Sequence, residues 1–152
     1  MKRSAGLLLY RYRDDLLEVL LGHPGGPWFA RRDDGVWTIP KGEVDPGEDE
    51  LAAAHREFTE EIGTAPPDGE PIPLGETMQS NGKVAVIWAL EGDLDVTEIT
   101  CNLFDMEWPP KSGRTESFPE IDRAGWFDLA SARRKAFASQ EPFFERLLQA
   151  LS

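Results

Sequence analysis

Hydrophobic and polar positions divide the chain into stretches of different period. From Ser4 to Tyr12 an apolar run through Ala5, Gly6, Leu7, Leu8 and Leu9 passes into tyrosines alternating with arginine, which predicts a first strand. Arg13-Asp14-Asp15 reads as a turn, and Leu16 to Leu21 as the second strand of a hairpin. Residues 23 to 35, HPGGPWFARRDDG, carry Gly, Pro and charge without a period and read as a loop, followed by a short strand from Val36 to Ile39. Further on the period lengthens. Leu51, His55, Phe58 and Ile62 share one stripe at about 100° per residue. A helix is therefore expected over 48 to 62, with start chemistry in Asp45-Pro46-Gly47-Glu48 and a stop at Gly63. Beyond Pro66-Pro67 and Asp68-Gly69, strands are expected over Ile72 to Gln79 and Lys83 to Leu90, joined by the hairpin signal Ser80-Asn81-Gly82. Glu98 to Trp108 reads as another strand, Pro109 to Pro119 as a loop, and Gly125-Trp126-Phe127 as a short strand. Asp128 caps an expected helix over 129 to 137. Glu141 to Leu151 reads as a last helix with Phe143, Phe144, Leu147, Leu148 and Leu151 apolar. Strands on both sides of one central helix, with helices at the end, predict a mixed α/β fold.

The central helix carries an unusual charge pattern. Glu57 and Glu61 lie one turn apart on a common edge, Glu60 sits further round, and Glu48 stands near the N-terminal end. Like charges at this spacing disfavour an isolated helix, and a divalent cation between them would remove that cost. Hard carboxylate oxygens suit Mg²⁺ or Mn²⁺, which keep several waters and bind substrate phosphates as well. A solvated acidic face is the competing reading of the helix alone.

The loop before the helix shifts the balance. Gly42, Glu48, Arg56, Glu57, Phe58, Glu60, Glu61 and Gly63 form the pattern Gly-x5-Glu-x7-Arg-Glu-(apolar)-x-Glu-Glu-x-Gly. This pattern resembles the signature of the Nudix (MutT-like) hydrolases. Two packing positions depart from it: Thr64 stands where an aliphatic residue is usual, and Phe58 is bulkier than usual. The resemblance implies a mixed sheet sandwiched between helices and attack of water on a diphosphate linked to another moiety. Carried across, it makes Glu57 and Glu61 metal ligands and Glu60 a further ligand or the positioner of a water. Glu48 becomes a supporting acid, Arg56 the arginine that orients carboxylates, and the Gly42 carbonyl a backbone ligand. A further acid from a later loop is expected in this family. Glu120, six residues before Trp126, and Glu116 compete for that place. The run WTIPKGEVDPGED, the segment Lys83 to Leu90 and the stretch from Glu120 to Phe127 are similar to the asymmetric diadenosine tetraphosphate hydrolases, although the 23 to 35 loop is long for that subgroup. Nucleoside triphosphates, ADP-ribose or nucleotide sugars are the alternative substrates, and a non-catalytic nucleotide-sensing module is the alternative to an enzyme.

Substrate contacts are sought among aromatic and basic loop residues. Trp28, Phe29, Trp108 and Phe118 offer faces for a nucleobase. Trp37, Trp88 and Trp126 read as packing residues. Arg31, Arg32, Lys41, Lys83, Lys111 and Arg114 are candidate phosphate contacts, each also readable as a solvated charge. His55 falls on the apolar stripe, and His23 has no second histidine at ligand spacing, which argues against zinc.

With 152 residues, one domain over 1–152 is expected. Sixteen basic against 28 acidic residues give a net charge of −12, which argues against a nucleic-acid polymer as partner. Bound metal would reverse the local sign for a phosphate substrate. The single cysteine, Cys101, excludes an internal disulfide and reads as a strand or core residue. With no apolar run of membrane length, a cytoplasmic monomer or homodimer acting on a small nucleotide is the expectation.

Overall fold

A computed structural model describes residues 2–79, 81–97, 99 and 101–152. Strands β1 (Arg3–Arg13) and β2 (Leu16–Pro24) form the expected hairpin, closed by Asp14 and Asp15, both at positive φ as a two-residue hairpin turn requires. Strands β4 (Ile72–Met78) and β5 (Val84–Glu91) form the second antiparallel pair. β5 then runs parallel to β1, from Arg3 opposite Val84 to Tyr10 opposite Glu91. With β8 (Ile121–Asp128) on β2, the sheet order is β4-β5-β1-β2-β8.

The hairpin partners β1 and β2 pair only between Tyr10–Arg13 and Leu16–Val19, and then diverge. The chain from Thr38 onward fills the gap. Thr38 bridges Gly22, and β3 (Lys41–Glu43) lies antiparallel on the first residues of β1, Gly42 opposite Ala5 and Lys41 opposite Gly6. The segment read as plain loop is thus zipped to the central strand. Val36 to Ile39, expected as a strand, makes isolated bridges only, because its neighbours are a helix end and a strand already paired.

Helix α1 (Glu50–Ile62) begins two residues later than expected. Asp49 caps it, accepting from the Ala52 N–H at 3.0 Å. Glu48 instead closes a separate turn: its N–H donates to the Asp45 carbonyl, and its carboxylate accepts from the Asp45 N–H. Gly63 ends the helix in the left-handed conformation. α1 buries Ala53, Ala54, Phe58 and Ile62 against Leu7, Leu9, Leu20 and Leu90, one of two apolar layers flanking the sheet. Leu51 and His55 are only half-buried.

The other layer holds Leu8, Leu21, Val36, Trp37, Ile39 and Ile87 beneath helices α2 (Leu129–Lys135) and α3 (Glu141–Ala150), with Phe143, Phe144 and Leu147 fully buried. Phe29 packs partly into this layer and is lost as a stacking candidate. Trp37 is buried, and Trp88 and Trp126 are half-buried against the α1 layer.

The largest correction concerns residues 98 to 119. Among the described residues of the expected strand, only Leu103–Glu107 is strand (β6), and it pairs with a second strand, Thr115–Pro119 (β7), in the segment expected as loop. The register sets Phe104 opposite Phe118 and Glu107 opposite Thr115, with Lys111 and Gly113 turning the tip at positive φ. The expected strand start at Glu98 and the turn residue Ser80 lie outside the described residues. His23, read as a loop residue, belongs to β2 and is fully buried. Cys101 lies outside any strand and accepts from the Ile121 N–H at 3.2 Å. Among the described residues, no helix is long and apolar enough to cross a membrane.

Candidate functional site

The acidic edge of α1 faces β3, and the two inner glutamates are not solvated. Glu57 is 9% and Glu61 5% exposed. The Glu57 carboxylate lies directly over the Gly42 backbone, so that a methyl at Gly42 would overlap it. Burial raises the pKa of Glu57, and the charge of Glu60 adds to it. Burial also holds the pKa of Glu61 well above the ordinary carboxylate range, with Glu57 and Glu120 pushing the same way. Lys41 opposes this through its charge and its backbone amide. Lys41 is itself desolvated, which lowers its pKa, and the nearby charge of Lys83 lowers it further.

Arg56 organises the outer acids. Its Nε donates to Glu48 Oε2 at 2.8 Å and its Nη2 to Glu48 Oε1 at 2.9 Å, a bidentate pair. Nη1 reaches Glu57 Oε1 at 2.9 Å and Glu60 Oε2 at 3.2 Å, and Nη2 also donates to the Glu43 carbonyl. One guanidinium therefore ties together the loop, the turn and the helix edge. It draws the Glu48 carboxyl down to about 2, with help from the Asp45 amide.

Glu120 joins from 60 residues further along the chain. The Asn102 N–H donates to the Glu60 carbonyl at 3.1 Å, and the Asn102 carbonyl accepts from the Glu120 N–H at 3.0 Å. Asn102 thus sets the backbone at Glu120 beside the C-terminal half of α1. Burial raises the Glu120 pKa, with Glu60 adding to it, and its charge is felt by Glu57 and Glu61. Glu116 sits exposed in β7 opposite Met106.

Among the described residues, no three His, Cys, Asp or Glu side chains converge as a finished metal cage. Arg56 occupies part of the carboxylate oxygens, and unscreened acids repel one another. The donor set still fits a hard divalent cation. Its donors are all oxygen, its two inner acids are buried with unfavourable charge, and a backbone without Cβ lies against one of them.

Two flanks adjoin the acids. On the Glu120 side, the Gly25 N–H donates to the Glu120 carbonyl at 2.9 Å, an approach that leaves no room for a side chain at Gly25. This seats the 24–35 loop on the β6–β7 ribbon. There Trp28, 59% exposed, meets the half-buried Trp108 edge to face at 5.3 Å. Phe118 is half-buried against Phe104. On the Lys41 side a cleft of about 160 Å³ is lined by Thr38, Lys41, Gln79, Asn81, Phe137, Ser139 and Gln140. Sequence reasoning missed this cleft, because its amides and hydroxyls come from three distant segments and carry no period. Arg31 and Arg32 are exposed on the loop, and the Arg32 carbonyl accepts from His23 Nε2 at 2.6 Å. Lys111 is at the ribbon tip, past the Glu107–Thr115 pair that itself stands about 10 Å from Phe118 at ~3.4 Å per residue. A larger cleft of about 480 Å³ lies at the far end of β1, where Arg11 is already bonded to Glu18 and Asp93.

Comparison with known proteins places this geometry. A family model described as NUDIX domain matches residues 1–147. The chain is 46% identical over 59 residues to a Caenorhabditis elegans bis(5'-nucleosyl)-tetraphosphatase [asymmetrical], covering 39% of this chain and 38% of that protein. It is 44% identical over 62 residues to an RNA pyrophosphohydrolase of Francisella tularensis subsp. mediasiatica (strain FSC147), covering 40% of each. These matches thus span about two fifths of the length of the relatives. In structure it is similar to the binary complex of the C. elegans Ap4A hydrolase, with TM-score 0.70, 25% identity and 97% of each chain covered. The NUDIX domain of Shewanella oneidensis NrtR, complexed with ADP ribose, shares the fold at TM-score 0.65 and 19% identity, covering 99% of this chain and 88% of that one. The Gly42–Gly63 motif, the sheet topology and the family match over nearly the whole chain agree, and the protein belongs to the NUDIX domain family.

Proposed function

We propose that residues 1–152 act as one metal-dependent hydrolase domain that cleaves a phosphoanhydride in a nucleoside diphosphate linked to another moiety, with dinucleoside polyphosphates as substrates. The observation that carries this reading is the buried pair Glu57 and Glu61 against Gly42, with Glu60 and Glu120 alongside. Glu57, Glu60, Glu61 and the Gly42 carbonyl hold Mg²⁺, for which Mn²⁺ can substitute. The ion supplies charge neutralisation and Lewis acidity at the phosphates. Arg56 and Glu48 fix the acids in place. Glu120, whose raised pKa suits it to take a proton from water, is the candidate base. Lys41 and Lys83 face the phosphate chain.

The two flanks support a substrate with two ends. The loop that carries Trp28 is tied to Glu120 through the Gly25 N–H, with Trp108 and Phe118 on the ribbon it packs on, and the cleft is lined by Lys41, whose charge reaches Glu61. Arg31 and Lys111 border the aromatic flank, where they contact phosphate or sugar. The C. elegans relatives, named for a tetraphosphatase and an Ap4A hydrolase, favour the same choice. A second reading follows from the relatives named RNA pyrophosphohydrolase. The net charge of −12 disfavours docking of a polyanion beyond its 5′ end.

The test is a screen with Mg²⁺ of diadenosine tetraphosphate, nucleoside triphosphates, ADP-ribose, a nucleotide sugar and 5′-triphosphorylated RNA, run in ¹⁸O-water with products identified by mass. Highest kcat/KM on the dinucleotide, with one label entering a product phosphate, is the expected result. Preference for RNA would select the second reading. Nucleotide binding without label incorporation, even with Mn²⁺, would make the protein a sensor and not an enzyme.

A further inference from the structure

The segment that leads into β3, with Lys41 and Gly42 at its start, is held by a residue nearly 100 positions later in the chain. Gln140 is 1% exposed and ends a short 3-10 turn over Ala138–Gln140, directly before α3. Its Oε1 accepts from the Ile39 N–H at 2.8 Å, and its Nε2 donates to Thr38 Oγ1 at 2.8 Å. Thr38 Oγ1 in turn donates to the Ile39 carbonyl at 3.0 Å. The backbone of this segment has few other ties. Thr38 exchanges both bonds with Gly22, and the Pro40 carbonyl accepts from the Leu7 N–H at 3.2 Å. Pro40 has no N–H to give. Between those two ties the Gln140 amide stands where a neighbouring strand would stand, and the next two residues are Lys41 and Gly42.

No bond runs from the Gln140 side chain to any of the carboxylates; both of its polar atoms are given to residues 38 and 39. Any influence on the site therefore travels through the backbone of 38–42. That backbone must hold Gly42 against the Glu57 carboxylate and the Lys41 amide near Glu61.

We propose that Gln140 is a positioning residue that sets the start of β3, Lys41-Gly42, at the height the acids require, so that the C-terminal segment fixes the geometry of the phosphate and metal site. This rests on the metal-dependent reading of that site. The test substitutes Gln140→Met, which keeps volume and removes both bonds of the amide, and Thr38→Val, which removes the Nε2 bond together with the Oγ1 bond to the Ile39 carbonyl and keeps the Oε1 bond to the Ile39 N–H. In metal-free protein, amide hydrogen exchange at Ile39, Lys41 and Gly42 rises at least tenfold in Gln140→Met, while exchange within α1 stays unchanged. With metal, the Mn²⁺ concentration for half-maximal binding rises about tenfold, and kcat falls more than KM changes. Thr38→Val moves the same quantities in the same direction by a smaller factor. Gln140→Glu, which keeps the acceptor for Ile39, restores part of the exchange protection lost in Gln140→Met.

A lowered Tm with unchanged exchange at 39–42 and an unchanged Mn²⁺ midpoint would overturn the proposal and leave Gln140 a packing residue. Should Gln140→Met not fold, the Thr38→Val exchange and Mn²⁺ midpoint decide, and no change in either overturns it. The exchange arm needs neither substrate nor metal. Its outcome therefore stays separate from failure of the wild-type protein to hydrolyse anything.

Discussion

The outer and inner acids of one motif are held in opposite electrostatic states. Glu48, ahead of the helix, is clasped by Arg56 Nε and Nη2, which draw its carboxyl down to about 2. Glu57 and Glu61, about two and three turns into α1, are buried beside further acids and are harder to ionise than free glutamates. The protein satisfies the outer charge itself. It leaves the inner charges unfavourable, a cost to stability that the proposed cation would offset.

The sharpest way to break this contrast is Glu61→Gln. Turnover is expected to fall about a thousandfold, beyond the ~10–100-fold typical of changes outside the ligand set. The same substitution should stabilise the metal-free protein by about 1 kcal/mol at pH 8. A folded-state pKa above the unfolded one destabilises as pH rises from the unfolded value through the folded one, so the gain should vanish toward pH 3, below the unfolded carboxyl pKa of about 4.3, where Glu61 is protonated in both states. Denaturant unfolding with and without Mn²⁺ at both pH values checks it. Equal stability of wild type and variant at pH 8 would erase the inner half of the comparison.

Glu48→Gln probes the outer half and should behave in the opposite sense. The Glu48–Arg56 pair contributes stability above the unfolded carboxylate pKa of about 4.3, and that contribution is lost as pH falls toward 2. The variant should be less stable at pH 6 and show a flatter acid limb in unfolding followed by circular dichroism. The smallest effect is expected away from both acids. Trp28→Ala should raise KM for a dinucleotide about threefold to tenfold while kcat holds within about twofold, because an exposed ring contributes binding and not chemistry. An unchanged KM would return Trp28 to its pairing with Trp108.

What could be read in advance followed from local signals. The Gly42–Gly63 motif, both hairpins and the stripe containing Phe58 and Ile62 are written in adjacent residues, and the structure shows them. The helix start was misplaced because Asp45 and Asp49 both look like caps. Only Asp49 accepts from the helix, while Asp45 and Glu48 satisfy each other. A strand was expected where β6 lies, with wider bounds, but its partner β7 was read as loop because Thr115–Pro119 carries no apolar alternation and lies largely exposed. The Lys41-side cleft depends on Gln79, Ser139 and Gln140, polar residues whose meeting is a property of the sheet order and of no single stretch.

The backbone bridge at Asn102 has a consequence for tolerance to change. Both of its links, to the Glu60 carbonyl and from the Glu120 amide, belong to the main chain, while the side chain faces solvent. Nearly any amino acid can occupy that site without disturbing the spacing between helix and late acid. Proline alone, lacking the hydrogen that reaches Glu60, would unfasten it.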